Sequence, residues 1–358
     1  MQRALELAER GRGRTHPNPV VGAVVVRAGR IVGEGWHAAL GRPHAEVEAL
    51  ARAGARARGA TMFVTLEPCA HTGRTPPCVD ALIAAGIRRC VAALRDPHPR
   101  VNGRGLRALR RAGVRVSLGL CAAEARRQLG GYWLAHARGR PRVAWKVAAT
   151  LDGRIADARG RARWITGPVA RRAGHRLRAL AHAVVVGART ARLDDPRLTA
   201  RGVGARRQPL RVVCDTRLRL PGTLALFGRA LARGTVVACG PRAPAARARA
   251  LERRGVRVWR LPLAAGGVSP RALARRLVEE DCHEVLLEGG ARLGTSWLGA
   301  GLVDRVALHL APRVLGAGLA WCGPLGPRDL AHARSGRFAT LQRLGGDAAV
   351  TVELEGGA

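Results

Sequence analysis

Three residues set the strongest constraint on this chain: His44, Cys69 and Cys78. One histidine and two cysteines are ligands that zinc takes. Three protein ligands leave the fourth position open for water, as a catalytic site requires. Glu46 stands two residues after His44, beside the metal position without ligating it, which suits a general acid/base. The fold must therefore bring Pro43-His44-Ala45-Glu46 against Glu67-Pro68-Cys69 and the later Cys78.

The flanking residues supply elements that can do this. Met1–Arg12 places apolar residues at Ala4, Leu5, Leu7 and Ala8, which suits a helix. Thr15-His16-Pro17-Asn18-Pro19 breaks it. Val20–Val26 reads as a strand and Ile31–Gly35 as its hairpin partner. A helix starts at His44. Side chains two apart diverge in mid-helix, but at a first turn both can face one metal. Thr61–Leu66 is a strand ending in Glu67-Pro68-Cys69, which sets the thiol near a helix N-terminus and favours thiolate. Eight residues separate Cys69 from Cys78, and a helix follows over Val79–Ala85. Zinc nucleobase deaminases pair an H-x-E element with a later Pro-Cys in this way. Within the intervening loop, His71 and Arg74 are candidate substrate contacts. His71 is also the alternative fourth ligand if the zinc is structural. Asn18 offers both donors and acceptors to a pyrimidine edge, or merely shapes its turn.

Length and charge narrow the class. A chain of 358 residues predicts two domains. No apolar run approaches the roughly 18 to 20 residues of a membrane span, and the N-terminus lacks a signal-type core, so the expectation is a cytoplasmic protein without a membrane partner. The eight cysteines read as thiols rather than a disulfide framework. The formal charge of +37 invites a nucleic-acid reading. Against it, the arginines are dispersed along the whole chain rather than gathered in a tail or stripe, and aromatic residues are only 3%, too few for a base-stacking surface. No specific nucleic acid is expected. Lys146 is the only lysine in the chain.

The second half alternates strands and helices. Strands are expected over Arg142–Ala148, Ala183–Val186, Arg211–Asp215, Thr235–Cys239, Val256–Leu261, Glu284–Glu288, Val303–Leu310 and Ala349–Leu354. Glu288-Gly289-Gly290 turns from strand to helix and can hold a phosphate on its backbone N–H groups, or only permit a tight turn. No G-x-G-x-x-G follows a strand, so a Rossmann fingerprint is absent. Gly139-Arg140-Pro141 is the linker signal. The expected division is a zinc-dependent deaminase domain at 1–120, a connecting helix and linker at 121–141, and a second domain at 142–358.

Taken together, the motifs resemble the bifunctional riboflavin-biosynthesis deaminase/reductases. Thr15-His16-Pro17-Asn18-Pro19, His44-Ala45-Glu46, Thr65-Leu66-Glu67-Pro68-Cys69 and Gly73-Arg74-Thr75-Pro76-Pro77-Cys78 match the deaminase half. Lys146, Leu151-Asp152-Gly153-Arg154, Trp164-Ile165-Thr166, Asp194-Asp195-Pro196 and Glu288-Gly289-Gly290 match the reductase half. The resemblance implies an α/β chain: an N-terminal cytidine-deaminase-like three-layer domain plus a C-terminal dihydrofolate-reductase-like α/β domain. It implies Zn²⁺, NADPH, a phosphorylated pyrimidine substrate and a homo-oligomer. It places Ala148, Trp164, Thr190, Asp194, Thr216 and the run Gly290, Ala291, Arg292, Leu293, Gly294, Thr295, Ser296 at cofactor positions. Ala162, Arg178, Leu198, Arg201 and Glu288 fall at substrate positions, with Arg178 and Arg201 suited to clamp phosphate. Lys146 and Asp152 would stand near the reduced sugar. The alternative is a tRNA or nucleobase deaminase with an accessory α/β domain, against which stand the cysteine spacing and the whole second half.

Overall fold

Helix α1 (Gln2–Glu9) turns Ala4, Leu5, Leu7 and Ala8 inward, as their spacing requires. Strands β1 (Gly22–Arg27) and β2 (Arg30–Trp36) follow as antiparallel partners across Ala28-Gly29. The computed structural model describes residues 1–72, 76–162, 164–326 and 329–355. It divides into two units, Met1–Gly139 and Arg140–Ala358.

In the first unit, helix α2 (Ala45–Ala53) rests directly on the backbone of β2. Two glycines permit the approach. A Cβ on Gly33 would stand 2.2 Å from the Ala49 carbonyl oxygen, and one on Gly35 2.2 Å from that of Ala45. This contact fixes the height of the first turn of α2, where Glu46 sits. Then come β3 (Thr61–Val64), α3 (Cys78–Ala84), β4 (Arg89–Ala92), α4 (Arg104–Arg111) and β5 (Arg115–Leu118). The sheet order is β2-β1-β3-β4-β5. β1 is antiparallel to both its neighbours, while β3, β4 and β5 run parallel. Met62, Val64, Leu82, Cys90 and Leu109 build the core beneath the helices. The helix expected over Cys121–Leu134 is two, α5 (Ala122–Leu129) and α6 (Gly131–Arg138), broken at Gly130. The sequence reading kept 121–141 apart as a connector. Here α5 packs Ala125 and Leu129 against Leu5, Leu66 and Leu94, and Gln128 donates to the Leu5 carbonyl at 2.8 Å.

The second unit is built on β6 (Arg142–Thr150). After it come β7 (Arg154–Ala156), α7 (Pro168–Leu180), β8 (Ala183–Gly187), α8 (Ala188–Asp194), β9 (Leu210–Cys214), β10 (Thr235–Cys239), α9 (Ala245–Glu252) and β11 (Arg257–Arg260). A small ribbon, β12 (Leu263–Ala264) with β13 (Gly267–Val268), leads to α10 (Pro270–Glu279), β14 (Glu284–Leu287) and α11 (Ala291–Gly299). The chain ends through β15 (Arg305–Ala311), β16 (Leu319–Ala320), β17 (Gly336–Leu344) and β18 (Asp347–Leu354). Nine strands form one sheet in the order β11-β10-β9-β8-β14-β6-β15-β18-β17. The first seven run parallel, and the last two join antiparallel. The central strands carry Val184, Val185, Val212, Val213, Val236 and Val237, all buried, as a parallel sheet covered on both faces demands. β17 was not anticipated: as the outer edge strand it is exposed nearly throughout, so it lacks a clear apolar alternation. Among the described residues no helix is long and apolar enough to cross a membrane.

Candidate active sites

His44 is the N-cap of α2, with extended backbone (ψ 163°). Helical spacing therefore does not separate it from Glu46, and both reach one pocket. Its Nδ1 lies 3.2 Å from Cys78 Sγ and 3.6 Å from Cys69 Sγ. The three donor atoms fall within 4.8 Å of one another. A tetrahedral ion at ordinary Zn–N and Zn–S lengths sets N···S pairs about 3.5 Å apart, so this donor set fits zinc. The helix expected over Val79–Ala85 runs Cys78–Ala84, so Cys78 rather than Cys69 stands at its N-terminus. The Cys78 N–H reaches back to Cys69 Sγ at 3.4 Å. A hydrogen bond from Cys78 draws the Cys69 thiol down to about 4, and the same bond pushes Cys78 up. Glu46 is 3% exposed, and burial pushes its carboxyl up to about 7.

His71 does not join the trio. Its ring stacks on His98 at 6.5 Å, and its Nδ1 is buried without a hydrogen-bond partner among the described residues. Arg74 lies outside the described residues. Asn18 lies beside His37, a residue the sequence reading passed over. His37 Nδ1 is 3.1 Å from the Pro43 carbonyl, which can only accept, so Nδ1 carries the proton. Nε2 then accepts from Asn18 Nδ2 at 3.2 Å. That bond fixes the amide and leaves Asn18 Oδ1 without a donor among the described residues. The His37 ring also meets His44 edge-on at 5.2 Å.

Glu67, which the sequence offers only as the residue before Pro68-Cys69, holds the pocket together. Its carboxylate accepts from the backbone N–H groups of Asp96, Gly103, Gly105 and Leu106 at 3.1, 2.8, 2.9 and 3.2 Å. Gly105 is needed for this approach, since a Cβ there would lie 1.9 Å from the Pro68 carbonyl oxygen. Asp96 in turn accepts from Tyr132 at 3.0 Å, and burial pushes it up to about 7.

The second unit opens a cavity of about 580 Å³ at the carboxyl ends of its parallel strands. Lys146, Ala148, Ala162, Trp164, Arg178, Thr190, Asp194, Arg201, Glu288 and Gly290 all line it. Arg178 grips Glu288 through two bonds of 2.6 Å and donates to the Thr199 carbonyl at 3.2 Å. The guanidinium expected to clamp phosphate is thus already occupied. Among the described residues the Arg201 side chain holds only Thr199 Oγ1, at 2.8 Å. Burial would raise Glu288, but Arg178 and Lys146 hold it below the usual range. Burial, then Arg178, lowers Lys146, and Glu288 opposes this.

Other expected residues fall elsewhere. Asp152 locks a turn, accepting from Thr150 Oγ1 at 2.6 Å and from the Leu315 and Gly316 N–H groups at 3.1 and 2.8 Å. The Leu198 side chain is buried in the core and its backbone is left-handed (φ 52°), so only backbone atoms remain to meet a ligand. Within the Gly290–Ser296 run, Ala291 is buried and Arg292 exposed at the start of α11. Leu293 packs on the core, and a Cβ on Gly294 would strike the Trp145 ring at 1.9 Å. Thr295 Oγ1 accepts from the Gly323 N–H at 2.8 Å, and Ser296 Oγ donates to the Leu293 carbonyl at 2.8 Å. Thr216 lines a different cavity. Arg171, His175, Arg189, Arg197 and Trp321 line the first cavity without a prior sequence signal. Arg171 stacks its guanidinium 4.6 Å over the Trp164 ring.

Fold and sites together define a two-part enzyme, a zinc-dependent deaminase joined to a nucleotide-dependent reductase. Residues 1–94 match the cytidine and deoxycytidylate deaminase zinc-binding region, and residues 141–350 match the RibD C-terminal domain. The riboflavin biosynthesis protein RibD of Aquifex aeolicus is 41% identical over 347 residues, covering 97% of this chain and 95% of that protein. The Escherichia coli protein of the same name is 41% identical, covering 97% and 96%. Acinetobacter baumannii RibD superposes with a TM-score of 0.88 at 36% identity, covering 99% of this chain and 97% of that one. The chain belongs to the RibD family of bifunctional riboflavin-biosynthesis enzymes. It deaminates 2,5-diamino-6-(5-phosphoribosylamino)pyrimidin-4-one 5′-phosphate with zinc, then uses NADPH to reduce the ribosyl group of the resulting uracil to ribityl.

Proposed function

We propose that His44, Cys69 and Cys78 hold the zinc and that Glu46 is the general acid/base of the deamination. The convergence of the three donor atoms within 4.8 Å, with Glu46 buried beside them, carries this reading. Bound zinc supplies an electrophile that acidifies water, and bound NADPH supplies a hydride. Glu46, lifted to about 7 by burial, takes a proton near neutral pH and returns it to the ring and the departing ammonia. Asn18 Oδ1, oriented through His37, accepts from a pyrimidine N–H.

In the second unit, Trp164, Thr190, Asp194 and Gly290 receive the nicotinamide end of the cofactor, and Ala148 and Ala162 leave room for ring and sugar. Arg201 binds the substrate phosphate, with Arg178 and Glu288 as the rigid wall behind it. Lys146 stands beside Glu288 to hold or release a proton at the sugar. The deaminase domain is the unit Met1–Gly139 and the reductase domain Arg140–Ala358. The eight cysteines, all free thiols, support a reducing compartment, the cytoplasm. The β17 edge, with Phe338 and Leu341 exposed, supports pairing with a second copy; sedimentation of the purified chain as a monomer would refute that.

The test of the zinc-site reading is product analysis with the diaminopyrimidine phosphate, with and without NADPH, on Glu46→Gln. Deamination falls about 10³-fold, zinc content is unchanged, and reduction of the supplied uracil intermediate continues. Retained deamination removes Glu46 from its role.

A further inference from the structure

Three ionisable side chains, Lys146, His309 and Asp347, share one face of the reductase sheet beneath α7. On β6, Trp145 and Val147 pack into the core, so Lys146 points to the opposite face. On β15, Val306 and Leu308 pack into the same core, so His309 points the way Lys146 does. The register makes them neighbours, since Ala307 pairs with Lys146 and His309 with Ala148. His309 also pairs with Ala349 of β18, two residues from Asp347. Helix α7 covers the row. Its Gly167 N–H donates to Asp347 Oδ2 at 2.7 Å, and its Ala170 carbonyl meets the His309 ring. Lys146 lies under its Gly174, where a Cβ would stand 4.0 Å from Nζ.

His309 is 4% exposed. Burial, then the charge of Lys146, pushes the ring down to about 4. It is therefore neutral near pH 7, with one N–H and one lone pair. The Ala170 carbonyl can only accept, and Nδ1 is buried without a partner among the described residues. Nε2 thus carries the proton toward Ala170, and Nδ1 keeps a buried lone pair. A buried acceptor left unpaired is unfavourable, so this one calls for a donor.

Few groups nearby can supply it. As carboxylates, Asp347 and Glu288 only accept. Arg178 is committed to Glu288 and Thr199, and His175 to the Thr199 carbonyl. The Lys146 ammonium is the donor left, and among the described residues it has no hydrogen-bond or ion-pair partner. Ala170 and Gly174 stand one turn apart on α7, about 5 Å, a span that the flexible four-carbon stem of lysine can cross.

We propose that His309 is a positioning residue of the reductase: its Nδ1 accepts a hydrogen bond from the Lys146 ammonium and keeps that lysine charged at the edge of the cavity. The proposal rests on Lys146 giving a proton at the sugar, as read above. An acceptor favours the charged form of an amine, so its loss lowers a proton affinity that burial has already lowered. Reduction fails as pH rises through the Lys146 midpoint, and that limb moves to lower pH once Nδ1 is gone.

Lys146 is the only lysine. The full chain, grown on lysine isotopically labelled at Cε, therefore gives one lysine signal by NMR, and its shift against pH follows this ammonium alone. His309→Leu removes the acceptor, and the midpoint falls by about one pH unit. His309→Asn places Oδ1 near the Nδ1 position, and the midpoint stays within about half a unit of wild type. His309→Gln keeps a donor on the Ala170 carbonyl but leaves the Nδ1 position empty. It shifts the midpoint as Leu does, and serves if the apolar variant does not fold. In each variant the alkaline limb of reduction moves with the midpoint, and deamination is unchanged. A midpoint unmoved in His309→Gln overturns the proposal. So does His309→Asn shifted as far as His309→Gln, or a loss of reduction equal at every pH. If the midpoint moves but the alkaline limb does not, the His309–Lys146 bond stands and the proton role of Lys146 falls.

Discussion

The deaminase unit buries its reacting groups beside one histidine and two sulfurs, whereas the reductase unit gathers arginines around an open cavity. Beside His44 stand Glu46, two thiols and His37. Around Lys146 stand Glu288, Arg178, His175 and Arg201. The difference follows from what each site must do. A carboxyl that takes and returns a proton near neutral pH needs a raised proton affinity, and burial supplies it to Glu46. A site for an anionic cofactor and a phosphate needs a field, and clustered cations supply that. The means of holding shape differ as well. The first site is pinned by backbone N–H groups on one carboxylate, the second by side-chain ion pairs such as Arg178–Glu288.

Glu67→Gln is the severest way to break this contrast. The swap keeps the shape but turns an amide NH₂ toward two of the four backbone donors. Those donors are buried with Glu67, so the variant should lose about 3 kcal/mol of stability in the first unit. Calorimetry should show the deaminase transition falling by roughly 10 °C, while the reductase transition holds its temperature. Equal displacement of both transitions, or of neither, would mean that this backbone pin does not hold the first site.

How much could be read in advance also differed between the units, and for physical reasons. The cluster of His44, Cys69 and Cys78 was legible because metal chemistry admits few residue types, and because their spacing ties them to strand and helix ends. The network on Glu67 was not, since its donors come from residues 96 to 106, far along the chain. His37 was equally silent, because a single histidine carries no signal until its neighbours are known. In the reductase half the residues of the cavity were largely legible, but their partners were not. The sequence offered Arg178 and Arg201 as equivalent clamps, and only the fold reveals that Glu288 already occupies Arg178. Asp152 read as a site residue, yet it is spent on the Leu315-Gly316 turn.

Arg201→Met sharpens the contrast from the other side. If charge does the positioning there, the loss should be graded and sensitive to salt. The reductase KM for the uracil phosphate should rise about 30-fold with kcat little changed, and the gap from wild type should shrink at high ionic strength. Deamination should be unaffected. A fall in kcat at constant KM would place Arg201 in the chemistry rather than in phosphate binding.

The smallest effect tests whether orientation in the first site is relayed through hydrogen bonds. Pro43, His37 and Asn18 form one chain, in which a carbonyl fixes the imidazole tautomer and the imidazole fixes the amide. His37→Phe keeps a ring beside His44 but removes the acceptor that holds Asn18 Nδ2. Asn18 can then turn its amide either way. Half of its orientations would present a donor where the pyrimidine N–H needs an acceptor, so the deaminase KM should rise about 5-fold. Asn18→Ala removes the acceptor outright and should cost about 10-fold. Because His37 acts only through Asn18, the double variant should be no worse than Asn18→Ala alone. Zinc content should stay constant throughout, since neither residue is a ligand. A double variant about 50-fold down, the product of the two, would show that His37 serves the site by a route other than the amide it orients.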